Sequence, residues 1–274
     1  MLGILGGTSL FHSQIFSSFE KQQLHTPYGD VIYYRNQVEP VFVYLQRHHA
    51  DAVRGAGAYT PPHRIQHRAN AYALKEIGVD RCIGVYSVGS LNVSLPVGTC
   101  VITSDFCALP QLVRAETFFD EDQRGHAVIQ FDQGLRKQVL DTVQSLVNES
   151  SLRLDAADSA SQIVSASCES TLVPVRLYDG GVYVQTAGPR FETPAEVRML
   201  RTFGDVVGMT GASEAVCCSE LGIAYMQICM VDNMANGLLS EAEQLQITQF
   251  HDNVRHNLKR VEQIIQRVIE VLHQ

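Results

Sequence analysis

The sequence predicts an α/β fold: one domain over residues 1–274, with helices on both faces of a central sheet. Three observations lead there. Short runs that are apolar throughout, not alternating, recur along the chain and read as strands buried on both faces. Helical patterns lie between them. Apolar residues make up 45% of the chain, enough for a sizeable core, and no repeat, low-complexity tract or Pro/Ser linker divides it.

The strands are expected, in order, at Leu2 to Leu5, Val41 to Leu45, Arg81 to Ser87, Cys100 to Thr103, Val182 to Thr186, Asp205 to Met209 and Ile223 to Val231. The polar stretch Asn148 to Gln162 reads as a surface connection. Thr193-Pro194-Ala195-Glu196 is a capping box with proline at the first helical position, and Gly204 is its expected C-cap. Ser213 is placed to cap the next helix and Gly222 to end it. In the last helix Phe250, Val254, Leu258, Val261, Ile265, Val268 and Leu272 recur at three- and four-residue spacing, so one face packs on the body.

Composition narrows the function. A formal charge of -8 disfavours nucleic-acid binding through a basic face. No apolar run approaches the ~20 residues of a membrane span. The start, Met1-Leu2-Gly3-Ile4-Leu5, is too short and lacks the basic flank of a signal peptide. The seven cysteines show no CxxC spacing, and several sit in strand-like runs, as buried thiols in a reducing cytoplasm do. The Cys217-Cys218 pair invites a redox reading; two adjacent helix residues, one facing the core, is the plainer one.

Chemistry-bearing residues gather where strands end, which is where ligands bind in such folds. Gly6-Gly7-Thr8-Ser9 follows the first strand; glycines there let N–H groups converge on an anion, or simply make a tight turn. Arg47-His48-His49 follows the second. A guanidinium at a strand end can fork onto a phosphate; a metal site is disfavoured because consecutive side chains point to opposite faces, and a solvated basic turn is the bland alternative. Val85 to Leu91 is again a strand running into a glycine turn. Phe191 can stack on a planar ring, Glu192 can accept from a ring N–H, Met209 offers adaptable apolar surface and Thr210 a hydroxyl. The last strand ends in Asp232-Asn233, an amide able to donate and accept. The inventory suits a phosphate beside a flat heterocycle.

The stretches "GILGGTSL", "RHH", "PPHRIQHRANAYALKEIG", "GSLNVSLPVGTCVITSDF", "AGPRFETPAEVRML" and "VVGMTGASEA", in that order, resemble the trimeric purine nucleoside phosphorylases and methylthioadenosine phosphorylases over nearly the whole chain. The resemblance implies a three-layer sandwich around a mixed sheet and attack of inorganic phosphate on C1′ of a purine nucleoside. It implies neither metal nor organic cofactor, phosphate being a co-substrate, and a cytoplasmic homotrimer. Carried over by position, Thr8, Arg47, His48, the backbone at Ser87 and Thr210 form the phosphate site. Met209 is the ribose floor and Phe191 the ring beside the base. His126, in "RGHAVIQF", corresponds to a residue lent to a neighbouring subunit's sugar pocket.

The base site separates the branches. Glu192 after Phe191, with Asn233 and Ala235 where the methylthioadenosine branch has an Asp pair, is the 6-oxopurine pattern. Hypoxanthine and guanine carry an N1–H that wants a carboxylate, whereas adenine has a bare N1. Asn233, Glu192 and His48 are the expected catalytic groups. In "LQITQF", Ile247 stands where inosine-specific relatives place His, so a 5′-methylthio group is expected in place of a hydroxyl. Alternatives are a methylthioadenosine phosphorylase, a nucleosidase using water, and a silent nucleoside-binding protein. Two departures stand out: Tyr86 occupies a position where a small residue is common, and His49 replaces the usual glycine, followed by the extra stretch "ADAVRGAGAY".

Overall fold

A computed structural model describes residues 1–55, 57–108, 116–120, 126–159, 172–240 and 244–272. The elements run β1 (Leu2–Gly6), β2 (Glu20–Thr26), β3 (Gly29–Arg35), β4 (Phe42–Gln46), α1 (His67–Glu76), β5 (Arg81–Ser90), β6 (Thr99–Ile102), β7 (Asp105–Ala108), α2 (Gln133–Ser159), β8 (Arg176–Asp179), β9 (Val182–Gln185), α3 (Pro194–Leu200), β10 (Val206–Gly208), α4 (Gly211–Glu220), β11 (Ala224–Met234) and α5 (Ile247–Leu272). All seven expected strands are present.

The strands form one mixed sheet of eleven, ordered β2-β3-β4-β1-β5-β10-β9-β7. The branch point is β5. Its first residues pair in parallel with β1, its last two pair antiparallel with β10, and along its other edge it pairs in parallel with β11. That branching gathers the ends of β1, β4, β5, β10 and β11 around one opening. Both faces of the sheet are apolar, as continuous apolar strands require. Leu2, Ile4, Ile83, Val85 and Met226 pack with α2 and α5 on one face. Leu5, Cys82 and Tyr225 pack with α1 and α4 on the other. The apolar stripe of α5 is buried through Val254, Val261, Ile265, Val268 and Leu272, with Phe250 and Leu258 at its margin.

Four local expectations change. The hairpin β2–β3 is added to the expected strands: β2 reads Glu-Lys-Gln-Gln-Leu-His-Thr and is largely exposed, whereas β3 buries Val31, Ile32 and Tyr33. Residues Asn148 to Ser159 continue α2, so the polar stretch is helix up to there and its last residues lie outside the described ones. The capping box at Thr193 is formed, but α3 ends at Leu200 with Arg201 as C-cap, before Gly204. Thr210, not Ser213, is the N-cap of α4. Ser213 lies in the first turn, where its N–H and hydroxyl bind the Gln185 amide. Gly222 follows the end of α4 with φ +68°, the left-handed conformation expected just past a helix. Cys217 and Cys218 are both buried free thiols. No helix among the described residues is long and apolar enough to cross a membrane.

Candidate active site

A cavity of about 380 Å³ opens where those strands end. Every residue expected for the site except His126 lines it: Thr8 after β1, Arg47 and His48 after β4, Ser87 on β5, Phe191 and Glu192 before α3, Met209 and Thr210 after β10, Asn233 near the end of β11 and Ile247 at the start of α5. His126 is exposed and outside the lining. The size suits a nucleoside-sized ligand.

Arg47 is bound differently from the sequence expectation. Its forked contact is made to a carboxylate of the chain itself: Nε donates to Glu214 Oε1 at 2.5 Å and Nη2 to Oε2 at 3.0 Å. Nη2 also donates to Leu5 O at 2.8 Å and Nη1 to Val85 O at 2.9 Å. A guanidinium has five N–H donors, so a single Nη1 hydrogen is left over. Both side chains are 2% exposed. Burial by itself lowers the Arg47 pKa, but the charge of Glu214 overrides it and holds the guanidinium charged. Tyr86 belongs to the same cluster. Its hydroxyl donates to Glu214 Oε2 and meets Tyr225, and its ring lies 4.4 Å under the Arg47 guanidinium carbon. Burial, then the Glu214 charge, push the Tyr86 phenol well up. Tyr86 therefore lines the cavity and at the same time hydrogen-bonds to the buried ion pair.

The glycines near this cluster serve close approach more than turning. Neither Gly6 nor Gly7 has a positive φ. A Cβ on Gly7 would collide with Arg47 Nη1, and one on Gly6 would come within 2.6 Å of the Tyr44 ring. Gly89 is likewise not a turn; β5 continues through Ser90. A Cβ there would sit 3.0 Å from Asn233 Nδ2 and 3.2 Å from Val207, so the strand leaves room for the Asn233 amide.

His48 faces the cavity as a neutral base. Its Nδ1 lies 2.9 Å from Thr60 O, which fixes the proton on Nδ1 and leaves Nε2 as an acceptor. Burial, then the Arg47 charge, push its pKa down to about 3. Its ring stacks on Tyr59 at 5.1 Å, while His49 stacks on Phe11 and does not line the cavity. The extra stretch before the proline pair thus supplies an aromatic cover for His48. Among the described residues no group of three or more His, Cys, Asp or Glu is placed to hold a metal ion.

At the other end Glu192 is buried, its Oε1 accepting from the Thr186 hydroxyl at 2.6 Å. Asn236 donates to Glu192 O at 3.0 Å and accepts from Leu245 N, tying the Glu192 loop to the segment before α5. Asn233 is also buried, one amide hydrogen donated to Met234 O. Phe191 meets Phe250 edge-on at 5.4 Å. With Ile247, Val254, Val207 and Met209 they make an apolar wall. At the N-cap of α4 the Thr210 side chain makes no capping hydrogen bond, and the N–H groups of Thr210 and Gly211 donate to the Tyr183 hydroxyl, so the Thr210 hydroxyl is the group it offers the cavity.

Glu214, Tyr225, Thr186 and Asn236 escaped the sequence reading. Glu214 in the first turn of a helix looks like a carboxylate complementing the helix dipole. Only the small apolar residues around it, in "GASEA", hint that it points inward.

The chain matches the model of the phosphorylase superfamily over residues 2–270. It is 32% identical over 273 residues to a probable 6-oxopurine nucleoside phosphorylase of Archaeoglobus fulgidus, covering 98% of each chain. It is 31% identical over 273 residues to a probable S-methyl-5′-thioinosine phosphorylase of Methanocaldococcus jannaschii, covering 98% of this chain and 90% of the relative. Among solved structures, methylthioadenosine phosphorylase from Schistosoma mansoni in complex with adenine superposes with a TM-score of 0.74 at 21% identity, covering 99% of this chain and 91% of the other, a likeness of fold. A cavity built from five strand ends, and a match running almost end to end, lead to one conclusion: the chain belongs to the phosphorylase superfamily.

Proposed function

We propose that the protein is a purine nucleoside phosphorylase acting on 6-oxopurine nucleosides, with a 5′-methylthio substituent preferred over a 5′-hydroxyl. The observation that carries the reading is the convergence of Glu192, Asn233 and Phe191 with Thr8, His48, Ser87 and Thr210 on one cavity. The names of the relatives, 6-oxopurine nucleoside and S-methyl-5′-thioinosine phosphorylases, support it.

Phosphate and nucleoside bound side by side remove the entropy of a bimolecular encounter. Glu192, held through one oxygen by Thr186, has the other to accept N1–H. Asn233, with one amide hydrogen committed to Met234 O, has the second to donate to N7 as negative charge develops on the departing purine. His48 Nε2 can accept from a phosphate or ribose hydroxyl. The reading calls on no metal or organic cofactor and no covalent nucleophile. It also carries a homotrimer in the cytoplasm, in which the exposed His126 serves a neighbouring subunit's pocket.

Base release from a panel of nucleosides, with and without inorganic phosphate, tests the reading. Release is expected only with phosphate. The pairing of the charged Arg47 with Glu214 favours a second reading, a nucleosidase, because water needs no free cation; equal release in phosphate-free buffer would establish it.

The 5′ end gives a separate prediction. Ile247 lines the cavity beside Phe250 and Val254. Ile247 is 56% exposed and His251 and Arg255 line the same rim, so a 5′-hydroxyl left unpaired against the apolar side chains costs toward the low end of about 1–3 kcal/mol. A thioether gains about 0.8 kcal/mol per CH₂-sized group buried. The kcat/KM ratio of 5′-methylthioinosine over inosine is therefore expected above one, and Ile247→His is expected to lower it. A parent ratio at or below one rejects the apolar pocket. An unchanged ratio in the variant moves the selectivity to other residues.

A further inference from the structure

The ring of His48 is oriented from outside the sheet. Thr60 N donates to His48 O at 2.7 Å, and His48 Nδ1 lies 2.9 Å from Thr60 O. One residue can meet both atoms because extended backbone points its N–H and C=O to the same side. Thr60 is held extended by the proline that follows it, Pro61. Tyr59, just before this clasp, lies flat against His48, with ring centroids 5.1 Å apart and planes 11° apart. Phe11 meets both rings, tilted on His48 at 5.4 Å and edge-on to Tyr59 at 6.0 Å. All three rings line the cavity. His48 is 4% exposed and Tyr59 51%, so the tyrosine shields the histidine while standing outside the buried core itself.

The clasp alone does not fix the ring. The torsion that turns a histidine ring is broad, and a bond at Nδ1 anchors one point of the ring, not its plane. A flat partner anchors the plane. With Nδ1 on Thr60 O and the plane set by Tyr59, Nε2 is left with a single direction.

Resting on the phosphorylase reading, we infer that Tyr59 is a positioning residue for phosphate: stacked on His48, it holds Nε2 as a fixed acceptor for the hydrogen of a phosphate oxygen. Phosphate keeps at least one hydrogen near neutral pH, and a hydroxyl taken out of water needs an acceptor. Tyr59 belongs to the extra stretch "ADAVRGAGAY", so that stretch supplies a part of the site that the strand ends do not.

The same cover keeps the ring neutral. Burial, ahead of the Arg47 charge, holds its pKa down at about 3, and His49 and His67 add smaller repulsion of the same sign. His12, Glu192 and Arg255 line the same cavity, and Glu214 pairs with Arg47. The Tyr59 phenol is itself shifted up by burial and stays uncharged. Removing Tyr59 admits water to the ring, so the His48 pKa is expected to rise toward its ordinary value of about 6.5. Loss of the tyrosine face, which favours an imidazolium, works the other way and is smaller than the burial that leads the shift.

The test is a double-mutant cycle on KM for inorganic phosphate, with the nucleoside KM alongside, at about pH 8, where an ordinary histidine is neutral. Tyr59→Ala is expected to raise the phosphate KM about three- to tenfold, the worth of one hydrogen bond, with the nucleoside KM within about twofold of the parent. Tyr59→Phe keeps the stack and is expected to avoid most of that loss. In His48→Ala, adding Tyr59→Ala is expected to cost nothing further. Nitrogen NMR spectra of histidine-labelled protein report the ring without turnover, His48 being the signal missing in His48→Ala. It is expected as the neutral Nδ1–H form down to about pH 5 in the parent and in Tyr59→Phe, and to titrate above that pH in Tyr59→Ala. Losses that multiply in the double variant, a rise confined to the nucleoside KM, or a His48 ring that stays neutral to about pH 5 in Tyr59→Ala overturns the inference. Base release that ignores phosphate overturns instead the phosphorylase reading beneath it, with the histidine spectra unaffected.

Discussion

Arg47→Ala is expected to destabilise the fold by about 3–5 kcal/mol, before it reports anything about phosphate. The variant leaves Glu214 buried at 2% exposure with its counter-charge gone. The hydroxyl of Tyr86 and the His67 ring, 3.8 Å from Oε1, remain, but they do not replace a lost bidentate ion pair. Against a total stability of about 5–15 kcal/mol, such a loss removes a large share. Urea denaturation at unchanged m-value is the measurement, and Glu214→Ala is expected to give a loss of similar size. The double variant Arg47→Met with Glu214→Leu, which removes both charges together, is expected to recover part of it. Recovery stays partial because Leu5 O and Val85 O lose the donors that Arg47 supplied. Activity need not return with stability, since the remaining Nη1 hydrogen and the shape of the Gly7 loop are lost too. If Arg47→Ala keeps the parent's midpoint and only phosphate affinity falls, the ion pair is not the structural element described.

The same cluster shows what the sequence could and could not convey. The strands that carry the site were legible because burial on both faces forces them to be apolar throughout, and their ends follow directly. Thr8, His48, Thr210 and Asn233 each stand just beyond or at the end of such a run and line the cavity, while the roles expected of them came with the resemblance. The strand β2 was not legible, because a half-exposed strand of polar side chains leaves no such run; the short run Val31-Ile32-Tyr33 of β3 was there to be read and was missed. The partner of Arg47 was hidden by distance along the chain: Glu214 lies 167 residues away, and its local pattern belongs to a helix start. Tyr86 looked like an obstruction because a single sequence shows its bulk and not the carboxylate that its hydroxyl meets. Gly6 and Gly7 were found for an incomplete reason. Their sequence allows a turn, but what excludes a side chain there is Tyr44 and Arg47, contributed by the neighbouring strand and the residue after it.

Base selectivity is the other large effect. The unmutated enzyme is expected to favour 6-oxopurine over 6-aminopurine nucleosides by at least about a hundredfold in kcat/KM, because a site built to hydrogen-bond one edge leaves buried groups unpaired with the other. Glu192→Ala is expected to remove most of that preference, at roughly 10- to 100-fold in kcat/KM for the 6-oxopurine, the worth of a hydrogen bond to a charged group. Glu192→Gln is expected to be milder, since its amide oxygen can still accept N1–H while Thr186 turns to accept from the amide nitrogen. Asn233→Asp argues the matter from the other side. Asn233 Nδ2 now donates to Met234 O at 2.9 Å. An ionised carboxylate in its place would face that carbonyl oxygen, with Asp232 next to it in the chain. Both disfavour charge in a buried position, so the new acid is driven toward its protonated form. A protonated acid keeps the bond to Met234 O or gives its hydrogen to the purine, and the latter suits a 6-aminopurine, whose departure needs a proton donor that Glu192 cannot provide at N1. The preference of Asn233→Asp is therefore expected to move toward adenine nucleosides, and to move further at lower pH. Equal or better efficiency of the unmutated enzyme on adenosine-type substrates would remove Glu192 and Asn233 from the base-recognition role. A preference in Asn233→Asp unchanged from the parent at every pH would remove Asn233 alone.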